Sequence, residues 1–139
     1  MPKRRRGSRT AFVDHRRALH HRPFEVLVEQ ALASIPMPFA AALEEVAIVI
    51  DDEPSAGQLA LYEVPPGESL YGVYDGIPRT AWGAGDAPIP NRIILFRLPL
   101  EADFANPDDL EDEVWVTVVH ELAHHLGIDD DRLHELGVG

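Results

Sequence analysis

His120-Glu121-Leu122-Ala123-His124 sets two imidazoles four residues apart, with a carboxylate directly after the first. On a helix, residues four apart differ by about 400° of rotation, so both rings project from one face about one turn apart. Ring nitrogens so placed can reach one ion at about 2.0–2.1 Å. Glu121 is offset from His120 by about 100°, which makes it a poor ligand but a good general base toward water on that ion. Gly127 stands three residues beyond His124, and Asp130 three beyond that. A tight turn at the glycine would return the Asp130 carboxylate to the open side of the ion. His120, His124 and Asp130 then supply three protein ligands and leave a fourth position for water. Two imidazoles and a carboxylate suit Zn2+ better than magnesium or calcium.

The element that carries this run has its own signals. Asn106-Pro107-Asp108-Asp109 reads as a helix start, with a capping Asn, Pro in the first turn and acids at the positive dipole end. Val114, Trp115, Val118, Val119, Leu122, Ala123 and Leu126 follow as a wide apolar face, and Gly127 is placed to end the helix. Upstream, a helix beginning at Pro23 is predicted from Phe24, Leu27, Val28, Ala31, Leu32 and Ile35, with Pro36 and Pro38 ending it. A short second helix can follow over 39–45. Three strands are expected: Val46–Ile50, Leu70–Tyr74 and Arg92–Leu98, the last stopped by Pro99. A loop containing Gly57 separates the first two, and a Gly- and Pro-rich connection over 76–91 the last two. This order implies α+β architecture: a small twisted sheet of about three strands packed on an N-terminal helix and a C-terminal motif helix. Trp115 and Phe96 read as core residues.

The 139 residues amount to one domain, with a net charge of −12 and no cysteine. Disulfides, Cys-based zinc sites and thiol chemistry are thereby excluded. Residues 1–22 hold eight basic side chains and one acid, whereas 23–139 hold four bases and 23 acids. We therefore divide the chain into a basic, solvated tail (1–22) and a folded domain (23–139). The acidic domain repels phosphate backbones and anionic membranes, so nucleic acid is an unlikely partner except through the tail. No apolar run approaches the roughly 20 residues of a membrane span. No hydrophobic region follows the arginines of the tail, so no export signal is expected and the cytoplasm is the expected location.

The run Val118–Asp130 resembles the zincin metallopeptidases, and among them the small bacterial group called minimal zincins. The likeness extends through 70–80 and 90–96 upstream, and through Arg132-Leu133 and Glu135-Leu136-Gly137 downstream. It implies a compact α+β minimal zincin-like fold, with His120, His124 and Asp130 as zinc ligands and Glu121 as the base. The chain departs from the metzincin pattern in having no methionine after the motif, its two methionines being Met1 and Met37. The expected activity is hydrolysis of a peptide or protein substrate by metal-activated water. A strand edge, for which 92–98 is the candidate, would align an extended peptide. Tyr71 or Tyr74 is a candidate oxyanion donor. His125 points elsewhere on the helix and is expected at the surface or behind a ligand, with alternate ligand as the lesser reading; His134 is expected exposed. Asp129 and Asp131 read as solvated neighbours of Asp130 or as partners of a ligand imidazole. Two other functions compete. One is a non-catalytic zinc-binding interaction module. The other is a metal-dependent endoribonuclease, suggested by an H-x3-H-x5-H family with the same offsets but opposed by the acidic domain and by Glu121.

Overall fold

In a computed structural model of the chain, residues 3–5 (as backbone), 22–76 and 91–136 are described. The elements are β1 (Lys3–Arg5), α1 (Phe24–Ala33), α2 (Phe39–Ala42) running into a 3-10 turn (Leu43–Glu45), β2 (Ala47–Asp51), α3 (Ala56–Leu61), β3 (Glu68–Leu70), β4 (Gly72–Asp75), β5 (Arg92–Phe96), α4 (Arg97–Asp103), α5 (Pro107–Leu126) and α6 (Asp130–Glu135). The architecture is α+β, a small three-stranded sheet packed with helices, as the resemblance implies. None of the described helices is long and apolar enough to cross a membrane.

The main sheet has the order β2-β5-β4, with β2 parallel and β4 antiparallel to β5. β5 is therefore central and hydrogen-bonded on both sides, so its edge cannot receive a peptide. That corrects the expectation for 92–98: an unbroken Ile-Ile-Leu-Phe run marks a strand covered on both faces rather than an edge. The alternation of the strand sorts its side chains between two apolar clusters. Ile93 and Leu95 pack with α1 and α5, while Ile94 and Phe96 join Leu70 and Val73 on the opposite face under Leu59 and Tyr62 of the α3 segment. Each large side chain so buried contributes about 1.5–3 kcal/mol. α1 presents Phe24, Leu27, Val28 and Ala31 to the core and packs beside α5.

Several boundaries differ from those expected. Pro23 immediately precedes α1 rather than opening it. The second expected strand is two, β3 and β4. They are separated at Tyr71, whose carbonyl accepts from the Phe96 amide and whose hydroxyl donates to Asp103 Oδ2 at 2.6 Å. The third strand stops at Phe96, and Arg97-Leu98-Pro99 opens α4 instead of extending it. Pro99 is accommodated because the first turn of a helix has no use for its N–H. Phe96 is fully buried as expected, whereas Trp115 is only partly so and donates from Nε1 to the Ser34 carbonyl. Of the basic tail, β1 lies antiparallel to β3, with Lys3 opposite Leu70, and Arg22 pairs with Asp108 and Glu111 on α5. Residues 6–21, and 77–90 of the Gly/Pro-rich connection, lie outside the described residues.

β4 meets α5 at Gly72. A Cβ there would stand 2.7 Å from Thr117 Cγ2 and 3.1 Å from the Ile94 carbonyl oxygen. Gly72→Ala should therefore push strand from helix and cost about 1–3 kcal/mol, as overpacking of a core does. Urea denaturation checks this; an unchanged midpoint would show that the strand does not sit this close.

Candidate metal and catalytic site

α5 carries its polar residues on two neighbouring rows. Thr117, Glu121 and His125 follow one another at four-residue spacing beneath β4. Gly72 closes over Thr117, and the Tyr74 hydroxyl lies 2.8 Å from His125 Nδ1. Glu121 falls between these contacts and is fully buried. His120 and His124 each sit one residue earlier, on the adjoining row, with side chains 23% and 27% exposed. The helix thus hides the carboxylate and opens the two imidazoles to solvent.

His124 Nδ1 stands 3.3 Å from Glu121 Oε1. The other carboxylate oxygen, Oε2, is buried with no hydrogen-bond partner among the described residues. Such an atom is expensive to hold, because burial strips its water and supplies nothing in return. Burial also lowers the His120 pKa from 6.5, outweighing the opposite pull of Asp130 and Glu121. Its ring is accordingly neutral at pH 7, the form that binds a metal. An NMR titration of the metal-free protein should place the His120 midpoint below 6.5; a midpoint above it would mean that the neighbouring carboxylates dominate.

Past His124 the helix closes with a Schellman turn. Ile128 N–H donates to the Ala123 carbonyl at 2.8 Å and Gly127 N–H to that of His124 at 3.1 Å. Gly127 adopts the left-handed conformation this turn requires, with φ 77°. Asp129 caps the next helix, its Oδ1 accepting from the Arg132 amide at 2.8 Å. Asp130 opens α6 with its side chain 73% exposed, and its Oδ1 lies 3.7 Å from His120 Nε2. That is longer than a hydrogen bond. Among the described residues no three His, Asp or Glu side chains converge into a finished metal cage. An open hollow of about 380 Å3 is lined by His124, Gly127, Ile128, Asp129 and Asp130.

The remaining candidates fall elsewhere. Tyr71 is turned to Asp103 on α4. Tyr74 is bound to His125, and burial, then Glu45 and Asp75, push its phenol up to about 12. His134 and Asp131 are exposed. Two features escaped the sequence reading. His125 is fully buried and bridges Tyr74 to Glu45 Oε1, at 2.8 Å on each side. Tyr62, at the end of α3, feels the Glu121 charge: burial first, then Asp75 and Glu121, raise its pKa. Full burial excludes a surface position for His125; it directly follows His124, but nothing local in the sequence points to Tyr74, Glu45 or Tyr62.

The family model of the zincin-like metallopeptidases matches residues 43–139, which takes in the sheet, the motif helix and α6. The chain belongs to the zincin-like metallopeptidase family. No curated relative matches it. Among solved structures, this zincin-like protein is similar to a conserved hypothetical protein from Thermo thermophilus. The identity is 29%, over 75% of this chain and 91% of that one, with a TM-score of 0.49. The donor set of this zincin-like chain fits a zinc ion. Two open imidazoles and an exposed carboxylate share one side of α5, next to an orphaned buried carboxylate oxygen.

Proposed function

We propose that the protein is a zinc-dependent peptidase in which His120, His124 and Asp130 hold the metal and Glu121 is the general base. The observation that carries this reading is the fully buried Glu121, whose Oε2 has no partner among the described residues beside two solvent-facing imidazoles. A helix that only packs has no reason to bury a carboxylate half-paired; one that must take a proton does. Zinc at this site supplies Lewis acidity, acidifying water and polarising a peptide carbonyl. Glu121 Oε2 accepts the proton of the attacking water, holds it shielded from solvent beneath β4, and delivers it to the departing amine nitrogen. Asp130, exposed at the first turn of α6, has the side-chain freedom to close on the ion. The outer edge of β4, which pairs with no described strand on that side, takes over the peptide-aligning role withdrawn from β5. The expected setting is the cytoplasm, where a chain without cysteine needs no oxidising compartment.

The test joins metal analysis of protein purified without chelator or metal-affinity resin to cleavage of a broad peptide library. Near one zinc per chain together with cleavage supports the proposal. Zinc without cleavage favours the non-catalytic zinc-binding module. Protein that neither retains nor takes up zinc overturns both readings.

A further inference from the structure

His125 lies next to a proposed ligand, yet its ring turns away from the solvent-facing row and is completely enclosed. Its two nitrogens are tied to different elements. Nδ1 is 2.8 Å from the Tyr74 hydroxyl on β4, and Nε2 is 2.8 Å from Glu45 Oε1 at the end of the 3-10 turn. The Tyr74 and His125 rings also meet, with centroids 5.6 Å apart and planes inclined at 53°. A carboxylate only accepts, so Nε2 carries a proton for Glu45. The Tyr74 phenol stays protonated, its pKa raised to about 12 chiefly by burial, so its hydroxyl keeps a proton to share with Nδ1. Both ends of a rigid ring are thereby satisfied inside the core. Elsewhere Thr117 meets β4 at Gly72, and Val114, Val118 and Leu122 add close-packed apolar surface. Those contacts are non-directional, whereas two hydrogen bonds on one ring fix its orientation.

We propose that His125 is a positioning residue: the Tyr74–His125–Glu45 strut fixes the rotation of the last turns of α5 against β4, and so sets where His124 and Glu121 stand. The inference rests on the zinc-site reading above and names the device that holds that site in register. His125 directly follows His124, so any turn of the strut moves the neighbouring imidazole with it. Glu121 stands four residues before it on the same row, so the base follows as well. The strut also joins the helix to β4, the strand along which a substrate would lie.

Four variants separate positioning from mere support. Tyr74→Phe removes one hydroxyl and keeps the ring. Glu45→Leu removes the acceptor, whereas Glu45→Gln keeps an oxygen for Nε2. Ile93→Val serves as a control, deleting one methyl from the residue opposite Tyr74 on β5 while leaving both hydrogen bonds of the strut in place. Zinc affinity is read by chelator competition, and ligand geometry by the visible spectrum of the cobalt(II)-substituted protein. Tyr74→Phe and Glu45→Leu are expected to weaken zinc by about tenfold, the low end of what loss of outer partners costs a metal site, and to shift the cobalt bands. Glu45→Gln should retain both properties. Ile93→Val should lower Tm while leaving affinity and spectrum unchanged. Wild-type affinity and spectrum in Tyr74→Phe and Glu45→Leu would overturn the proposal, as would equal changes in Ile93→Val. Wild-type protein that takes up no cobalt would instead remove the zinc-site reading, and the strut's role with it.

Discussion

Glu121→Gln is expected to keep its zinc and to lose peptide hydrolysis by ~10²–10⁴-fold, the usual cost of removing a general base. The amide is nearly isosteric with the carboxylate, so packing beneath β4 is preserved and the two imidazoles stay on their open row. What disappears is the ability of Oε2, now buried without a partner among the described residues, to accept a proton. Removing a half-paired buried charge should not destabilise the fold, because the desolvation that Glu121 bears is relieved in the variant. Activity and stability therefore move independently, which a purely structural role for Glu121 would not produce. Loss of zinc in parallel with activity would mean that Glu121 ligates. Unchanged cleavage would place the base elsewhere.

Asp130→Ala should weaken zinc binding more than substitution of either neighbouring aspartate. The three are chemically identical, so position alone distinguishes them. Asp129 spends Oδ1 on the Arg132 amide as the cap of α6, and Asp131 is exposed on the first turn of that helix. Asp130 is the one whose oxygen approaches His120, to 3.7 Å. Its loss leaves two imidazoles, fewer than the three protein ligands typical of a catalytic zinc site. Asp129→Ala and Asp131→Ala should stay within the ~10–100-fold cost of losing an outer partner. Asp129→Ala should in addition lose about 0.5–2 kcal/mol of stability with its cap. Asp130→His should recover affinity, since imidazole is an equally good third ligand. Chelator competition on the four variants decides the matter. If Asp129→Ala or Asp131→Ala proves the most damaging, the third ligand has been assigned to the wrong aspartate.

The features legible in the sequence were those written in local chemistry. Asn106 caps α5 through the Asp108 and Asp109 amides, and Gly127 closes it, as their residue types require. The apolar runs of β2 and β5 stood out because β-branched and large residues fill the sheet, half-buried along β2 and covered along β5. Short helices did not. α3, α4 and α6 are six, seven and six residues long, too short for a 3.6-residue period to emerge. For α3 a signal was present in the Ser55–Gln58 capping box, with Gln58 N–H to Ser55 Oγ at 3.0 Å and Ser55 N–H to Gln58 Oε1 at 2.8 Å. For α6 the signal was Asp129, which as a capping residue announces a helix start after Gly127. The central place of β5 and the strut on His125 were beyond local reading. Tyr74 and Glu45 lie 51 and 80 positions from His125, and only the folded topology brings them to its ring. That is also why the buried Glu121 could be named as a base from its spacing, while the strand that buries it could not.

The measurement that bears most directly on the account is an anomalous diffraction map of crystals of the zinc-loaded protein, recorded on both sides of the zinc absorption edge. A single strong peak per chain is expected, within ligand distance of the His120 and His124 imidazoles and the Asp130 carboxylate, with Glu121 outside the coordination sphere. A peak coordinated by Glu121, a peak elsewhere on the surface, or no peak at all in protein that is fully folded would contradict it.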